Sequence, residues 1–82
     1  MNADGRRSNP TTGVTLLTCV ALLEDLRARR LRCGQVGTVV EILEPGVYEV
    51  EFSDTEGRSY ASLALREHQL LELRYQPASE VA

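Results

Sequence analysis

The sequence predicts an all-β domain, a small five-stranded barrel, on three observations. Residues 34 to 52 alternate in the manner of half-buried antiparallel strands: Thr38, Val40 and Ile42 against Val39, Glu41 and Leu43, then Tyr48, Val50 and Phe52 against Glu49 and Glu51. Between the two runs stands Glu44-Pro45-Gly46. Proline presets the first turn position and glycine tolerates positive φ at the next, as a type II turn requires. Further turn signals and short apolar runs then follow downstream at strand spacing.

In chain order, residues 1–13 are rich in Asn, Gly, Ser, Thr and Arg and read as a disordered leader. The stretch from Val14 to Arg32 is ambiguous, because Leu16, Val20, Leu23 and Leu26 approximate helical spacing. Its first half nevertheless concentrates Val, Thr and Cys, and a lone hairpin needs further strands to cover its apolar face. Leu17–Leu22 is therefore expected as a strand, with residues 24–32 a long excursion that carries Leu26 and Leu31 back to the core. Gly34 and Gly37 ease the backbone into the hairpin.

After Phe52, Ser53-Asp54-Thr55-Glu56-Gly57-Arg58 reads as a polar turn in which Asp54 caps local amides and Gly57 goes left-handed. Ser59–Leu65 is the next strand, with Ala61, Leu63 and Leu65 on one face and Tyr60, Ser62 and Ala64 on the other. Arg66–Gln69 has the length of one 3₁₀ turn, and Leu70–Leu73 is the last strand, with Leu71 and Leu73 expected to alternate with Glu72. The barrel is thus assigned to residues 14–74. Residues 75–82 read as a flexible tail.

Composition bounds the function. An 82-residue chain with twelve acidic and nine basic residues has a net charge of −3, which opposes general binding to a phosphate backbone while permitting a local basic patch. All of its cations are Arg. Cys19 and Cys33 lack the company a zinc site needs and read as reduced, buried thiols. No signal-type or membrane-length apolar run appears, so the expected location is cytoplasmic. Neither a cofactor nor a metal is expected.

Arg27, Arg29, Arg30 and Arg32 place four cations in six positions, and they form the candidate partner-binding site. Planar guanidinium groups fork onto carboxylates, so the expected partner is a protein with an acidic surface. Nucleic acid is disfavoured, since the sequence lacks the interleaved exposed aromatics that stack bases, and Tyr48 and Phe52 are assigned to the core. Glu41, Glu49 and Glu51 should share one outer face as solvated carboxylates. His68 is the sole histidine, and nothing in the sequence ties it to a nucleophile, so no catalytic residue is assigned and the protein is expected not to be an enzyme.

Strand, long loop, three-stranded meander, 3₁₀ turn and final strand is the order of an SH3-like barrel. More specifically, the segments Val20-Ala-Leu-Leu-Glu-Asp-Leu26, Leu31, Gly34-Gln-Val-Gly-Thr-Val-Val-Glu41, Tyr48-Glu-Val-Glu-Phe52, Tyr60-Ala61 and Gln69-Leu-Leu71 resemble, in that order, a family of small bacterial proteins, domain-of-unknown-function family 4926. The likeness runs over about residues 17 to 73. It implies an SH3-like barrel and a bacterial source, and it brings no catalytic residues. The expected function is a non-catalytic protein–protein interaction module, an accessory or antitoxin- or immunity-like partner protein. The alternatives are a nucleic-acid-associated barrel of the ribosomal-module type and a docking subunit of an enzyme or electron-transfer complex. The chain itself is expected to be a monomer or a weak homo-oligomer.

Overall fold

The computed structural model describes residues 14–75, so the expectations for the leader and for residues 76–82 lie outside the described residues. Five antiparallel strands form one sheet: β1 (Cys19–Leu22), β2 (Val36–Glu44), β3 (Val47–Ser53), β4 (Ser59–Arg66) and β5 (Leu70–Glu72), in the spatial order β4-β3-β2-β1-β5. Two 3₁₀ turns, Arg27–Arg29 and Glu67–Gln69, complete the described structure, and no α-helix occurs in it. The helical reading of the first apolar stretch is thereby excluded, and the strand order and the 3₁₀ turn before the last strand are those of the expected connectivity.

A single sheet with no second layer can bury side chains only by curling its concave face onto itself. That face carries Val20 and Leu22 of β1, Val39 of β2, Tyr48, Val50 and Phe52 of β3, Leu63 and Leu65 of β4, and Leu70 of β5. Leu31 joins them from the loop between β1 and β2. The outermost strands, β4 and β5, are not paired with one another.

The curl has local causes in β2. An extra residue, Val40, sits between the Val39–Val50 and Glu41–Glu49 pairs, and Leu43 sits between the Ile42–Tyr48 and Glu44–Val47 pairs. Such bulges bend the strand and sharpen its twist. They also break the simple alternation: Val40, Ile42 and Leu43 are all exposed, so the apolar half of the β2 pattern beyond Val39 does not contribute to the core. At Gly37 the opposite strand approaches closely. A β-carbon there would lie 2.7 Å from Val50 Cγ1 and 2.9 Å from the Glu51 carbonyl oxygen.

The turns follow their sequence chemistry. Gly46 has φ of 80° after Pro45, and Glu44 pairs with Val47 across the two-residue connection. Asp54 Oδ1 accepts from the Glu56 and Arg58 amides, and Gly57 has φ of 85°. Gln69 ties the second 3₁₀ turn down, its Oε1 accepting from the Arg66 amide and its Nε2 donating to Glu24.

Three features differ from expectation. The first strand starts at Cys19 and not Leu17, because Leu17 adopts a left-handed φ of 69° after a turn in which the Thr18 amide donates to the Thr15 carbonyl. In β5 the inward residues are Leu70 and the half-buried Glu72, while Leu71 is exposed. Register decides this, since Leu70 lies opposite inward-facing Leu22 and Leu71 opposite Ala21. Cys33 is exposed and Cys19 half-buried; both are free thiols.

Two measurements check this account. Leu70→Ala should cost about 2–5 kcal/mol in urea unfolding while Leu71→Ala stays within about 0.5 kcal/mol; equal costs would restore the alternation read from sequence. Gly37→Ala, which drives a methyl into β3, should cost about 3 kcal/mol. Gly57→Ala, which meets nothing within 4 Å, should cost only the roughly 1 kcal/mol of a left-handed alanine.

Candidate functional site: an arginine-bearing loop

The loop between β1 and β2 is a small hairpin in its own right. The Leu26 amide donates to the Leu31 carbonyl at 2.8 Å and the Leu31 amide returns to the Leu26 carbonyl at 3.1 Å. Between these leucines Arg27–Arg29 makes one 3₁₀ turn, closed by an Arg30 amide bond to the Arg27 carbonyl. Arg30 has φ of 60° and ψ of 37°. Left-handed backbone in a residue other than glycine costs roughly 1–2 kcal/mol, so the chain reverses here at some expense.

Apolar burial fixes this hairpin to the body. Leu31 is 2% exposed within the core, and Leu26 packs partly against it. Charge and amide groups fix its base: the Cys33 amide donates to Asp25 Oδ1 at 2.9 Å, and the Gly34 amide to the Leu22 carbonyl at 2.7 Å. Gly34, with φ of 96°, supplies the bend between them. Gln35 then ties the loop to β4. Its Oε1 accepts from the Arg32 amide, while its Nε2 donates to the Tyr60 hydroxyl on β4 at 2.9 Å.

This scaffold sorts the four arginines. Arg27, Arg30 and Arg32 border one open depression together with Asp25 and Leu31. Arg29 points elsewhere, its Nη2 lying 3.5 Å from the Ser62 carbonyl of β4. Among the described residues the side chains of Arg27, Arg30 and Arg32 take part in no hydrogen bond or ion pair, whereas Arg58 and Arg74 pair with Glu56 and Glu72. The three loop guanidiniums therefore keep their donors unspent. Asp25 and Gln35, which position them, escaped the sequence reading because their partners lie 8 and 25 residues away. An Asp at the foot of an arginine run was the one local signal.

The remaining groups do not assemble. Glu41 and Glu49 are cross-strand neighbours on the outer face, with Glu51 two residues on, and Ser62 Oγ donates to Glu49 at 2.8 Å. His68 is exposed in the second 3₁₀ turn. Among the described residues no three His, Cys, Asp or Glu side chains are placed to hold a metal ion. Near β1, a hydrogen bond with the Cys19 thiol, reinforced by its charge when ionised, raises the Tyr75 phenol above its ordinary range. No helix of the described residues is long and apolar enough to cross a membrane.

Fold and site together define a small all-β module that presents a braced, arginine-bearing loop. The chain belongs to the family described as Domain of unknown function (DUF4926), whose model matches residues 16–72. The match spans β1 to β5 and the whole of the loop. No curated protein and no solved structure matches the chain significantly.

The loop's dependence on the core is testable. Leu31→Ala should lower the unfolding free energy by about 2–5 kcal/mol and should speed amide exchange at Leu26 and Cys33 beyond the global change. Unchanged exchange at those amides would mean that polar contacts alone hold the hairpin.

Proposed function

We propose that the protein is a non-catalytic docking module that binds an acidic protein surface through Arg27, Arg30 and Arg32, with Arg29 at the margin. The observation that carries this reading is the grouping of three unpaired guanidiniums around one depression on a braced loop. A cation on a loose loop loses side-chain and backbone freedom on binding, whereas a braced loop has already lost most of the latter. Carboxylates on a partner would receive forked hydrogen bonds from such groups. Asp25, at the foot of the depression, accepts from the Cys33 amide and so braces the loop that carries the cations.

Arg30 supports the same reading from another direction. A glycine or asparagine would sit in its left-handed backbone with less strain, yet an arginine occupies the position. Strain tolerated for the sake of a side chain is characteristic of functional positions. The setting that fits is an accessory, antitoxin-like or immunity-like protein of the bacterial cytoplasm, where thiols such as Cys19 and Cys33 stay reduced.

Arg30→Gly separates binding from folding. It should leave stability unchanged or raise it by up to about 1 kcal/mol, since relief of left-handed strain outweighs the added chain entropy. Partners captured from the source organism by the wild type should be lost with Arg27→Ser/Arg30→Ser/Arg32→Ser and weakened with Arg30→Gly. Identical partner sets for wild type and triple variant would reject this surface. Retention of RNA in place of protein, with affinity falling steeply as salt rises, would transfer the loop to the nucleic-acid reading.

A further inference from the structure

The sheet has two outer strands, and they are protected very differently. β5 is three residues long and its last residue, Glu72, is charged. β4 runs for eight residues, from Ser59 to Arg66, and carries no charge between Ser59 and Leu65 and no proline. Natural edge strands are blunted by brevity, charge, proline, bulges or a covering segment. The exposed stretch of β2 from Val40 to Glu44 shows such devices, with two bulges, Glu41 and Glu44. In β4 the one irregularity lies at its start, opposite Phe52 and Ser53, and its ladder with β3 is regular from Ala61 to Arg66.

The open side of β4 touches the rest of the molecule lightly. Arg29 reaches the Ser62 carbonyl at 3.5 Å, the outer limit for a hydrogen bond. A strand carbonyl met from outside the β3 ladder faces the sheet's edge, and by the alternation of peptide groups so does that of Ala64. The Arg66 amide, further along, is already occupied by Gln69. Ser62 and Ala64 therefore carry free donors and acceptors in the middle of the edge, and both side chains are small, exposed and uncharged.

We propose that this edge takes the β4 strand of a second copy of the chain, antiparallel, about a two-fold axis at Leu63. The occupant follows from symmetry and charge. With Leu63 opposite its own copy, Ser62 of each chain faces Ala64 of the other, so the free peptide groups pair reciprocally, twice. The same register sets Tyr60 opposite Arg66. Shifting the axis to Ser62 would instead set Arg58 against Arg66, two like charges directly opposed. The Leu63-centred pairing joins two five-stranded sheets into one continuous sheet and places no like charges face to face. It requires Arg29 to leave the Ser62 carbonyl, and a marginal bond yields to a well-aligned peptide donor. The edge meets the docking loop at Arg29 but lies outside the depression bordered by Arg27, Arg30 and Arg32, so a substitution at Ser62 tests self-pairing while leaving those three arginines in place.

Sedimentation equilibrium and hydrogen exchange of the full chain test it. Wild type should show a monomer–dimer equilibrium with Kd below about 1 mM, and the Ser62 and Ala64 amides should gain protection as concentration rises. Ser62→Lys, which adds a charge at the edge, and Ala64→Pro, which deletes an edge donor, should each weaken the dimer at least about tenfold. Both should keep the circular dichroism of the wild type. Should Ala64→Pro misfold, Ser62→Lys decides alone. A protein monomeric at about 1 mM, or a dimer untouched by Ser62→Lys, overturns the proposal.

Discussion

Everything in this fold depends on one sheet having to serve as its own second layer. Five strands bury a common face with no helix or facing sheet, so the strands must bend, and the bending is concentrated in β2. Gly37 lets β3 come within contact distance, and the extra residues Val40 and Leu43 bend the far half of the strand. A modest core results. Each of its members therefore matters more than it would in a larger domain.

That scarcity explains why the loop is not a free excursion. Leu31 completes the concave core from outside the strands, with Val14 and Leu26 packed against it. Burying Leu31 obliges the chain to turn sharply on either side. The reciprocal Leu26–Leu31 bonds and the left-handed Arg30 are the local solution. The positions of the arginines are thus consequences of packing a leucine, and the loop's order is drawn from the same free energy that holds the sheet together.

How much of this was legible in the sequence depends on the range of the interaction involved. Turns set by one or two residues, Pro45-Gly46 and Asp54 with Gly57, were readable because their causes are local. The faces of β3 and β4 were readable because strict alternation runs for seven or eight residues. β5 was assigned the wrong face since three residues cannot define a period, and its register is imposed by β1. The β2 bulges were hidden by a run, Val39-Val40-Glu41-Ile42-Leu43, whose apolar residues fit either face. The arginine cluster was evident as composition, but its division into three residues around a depression and one at the β4 edge was not. That division is made by Asp25 with Cys33 and by Gln35 with Tyr60, contacts that only the folded chain brings together.

The same topology sets one group of carboxylates well away from the arginine-bearing loop. The arginine-bearing loop joins β2 at Val36, whereas Glu41, Glu44 and Glu49 lie toward the Pro45-Gly46 turn at the opposite end of that strand. Nine residues of β2 span about 27 Å at strand rise. Screening in physiological salt acts over about 8 Å, so the two groups neither neutralise nor appreciably attract one another. Glu24 and Asp25 stay beside the arginines and Glu51 lies opposite Thr38 near that end, so the loop's local positive charge rests on four arginines outnumbering the carboxylates close by. Under the proposed docking role, a negatively charged partner would be repelled by the carboxylates at the turn end and favoured at the loop end. The stiffness of a bulged but continuous strand is what keeps these two fields apart.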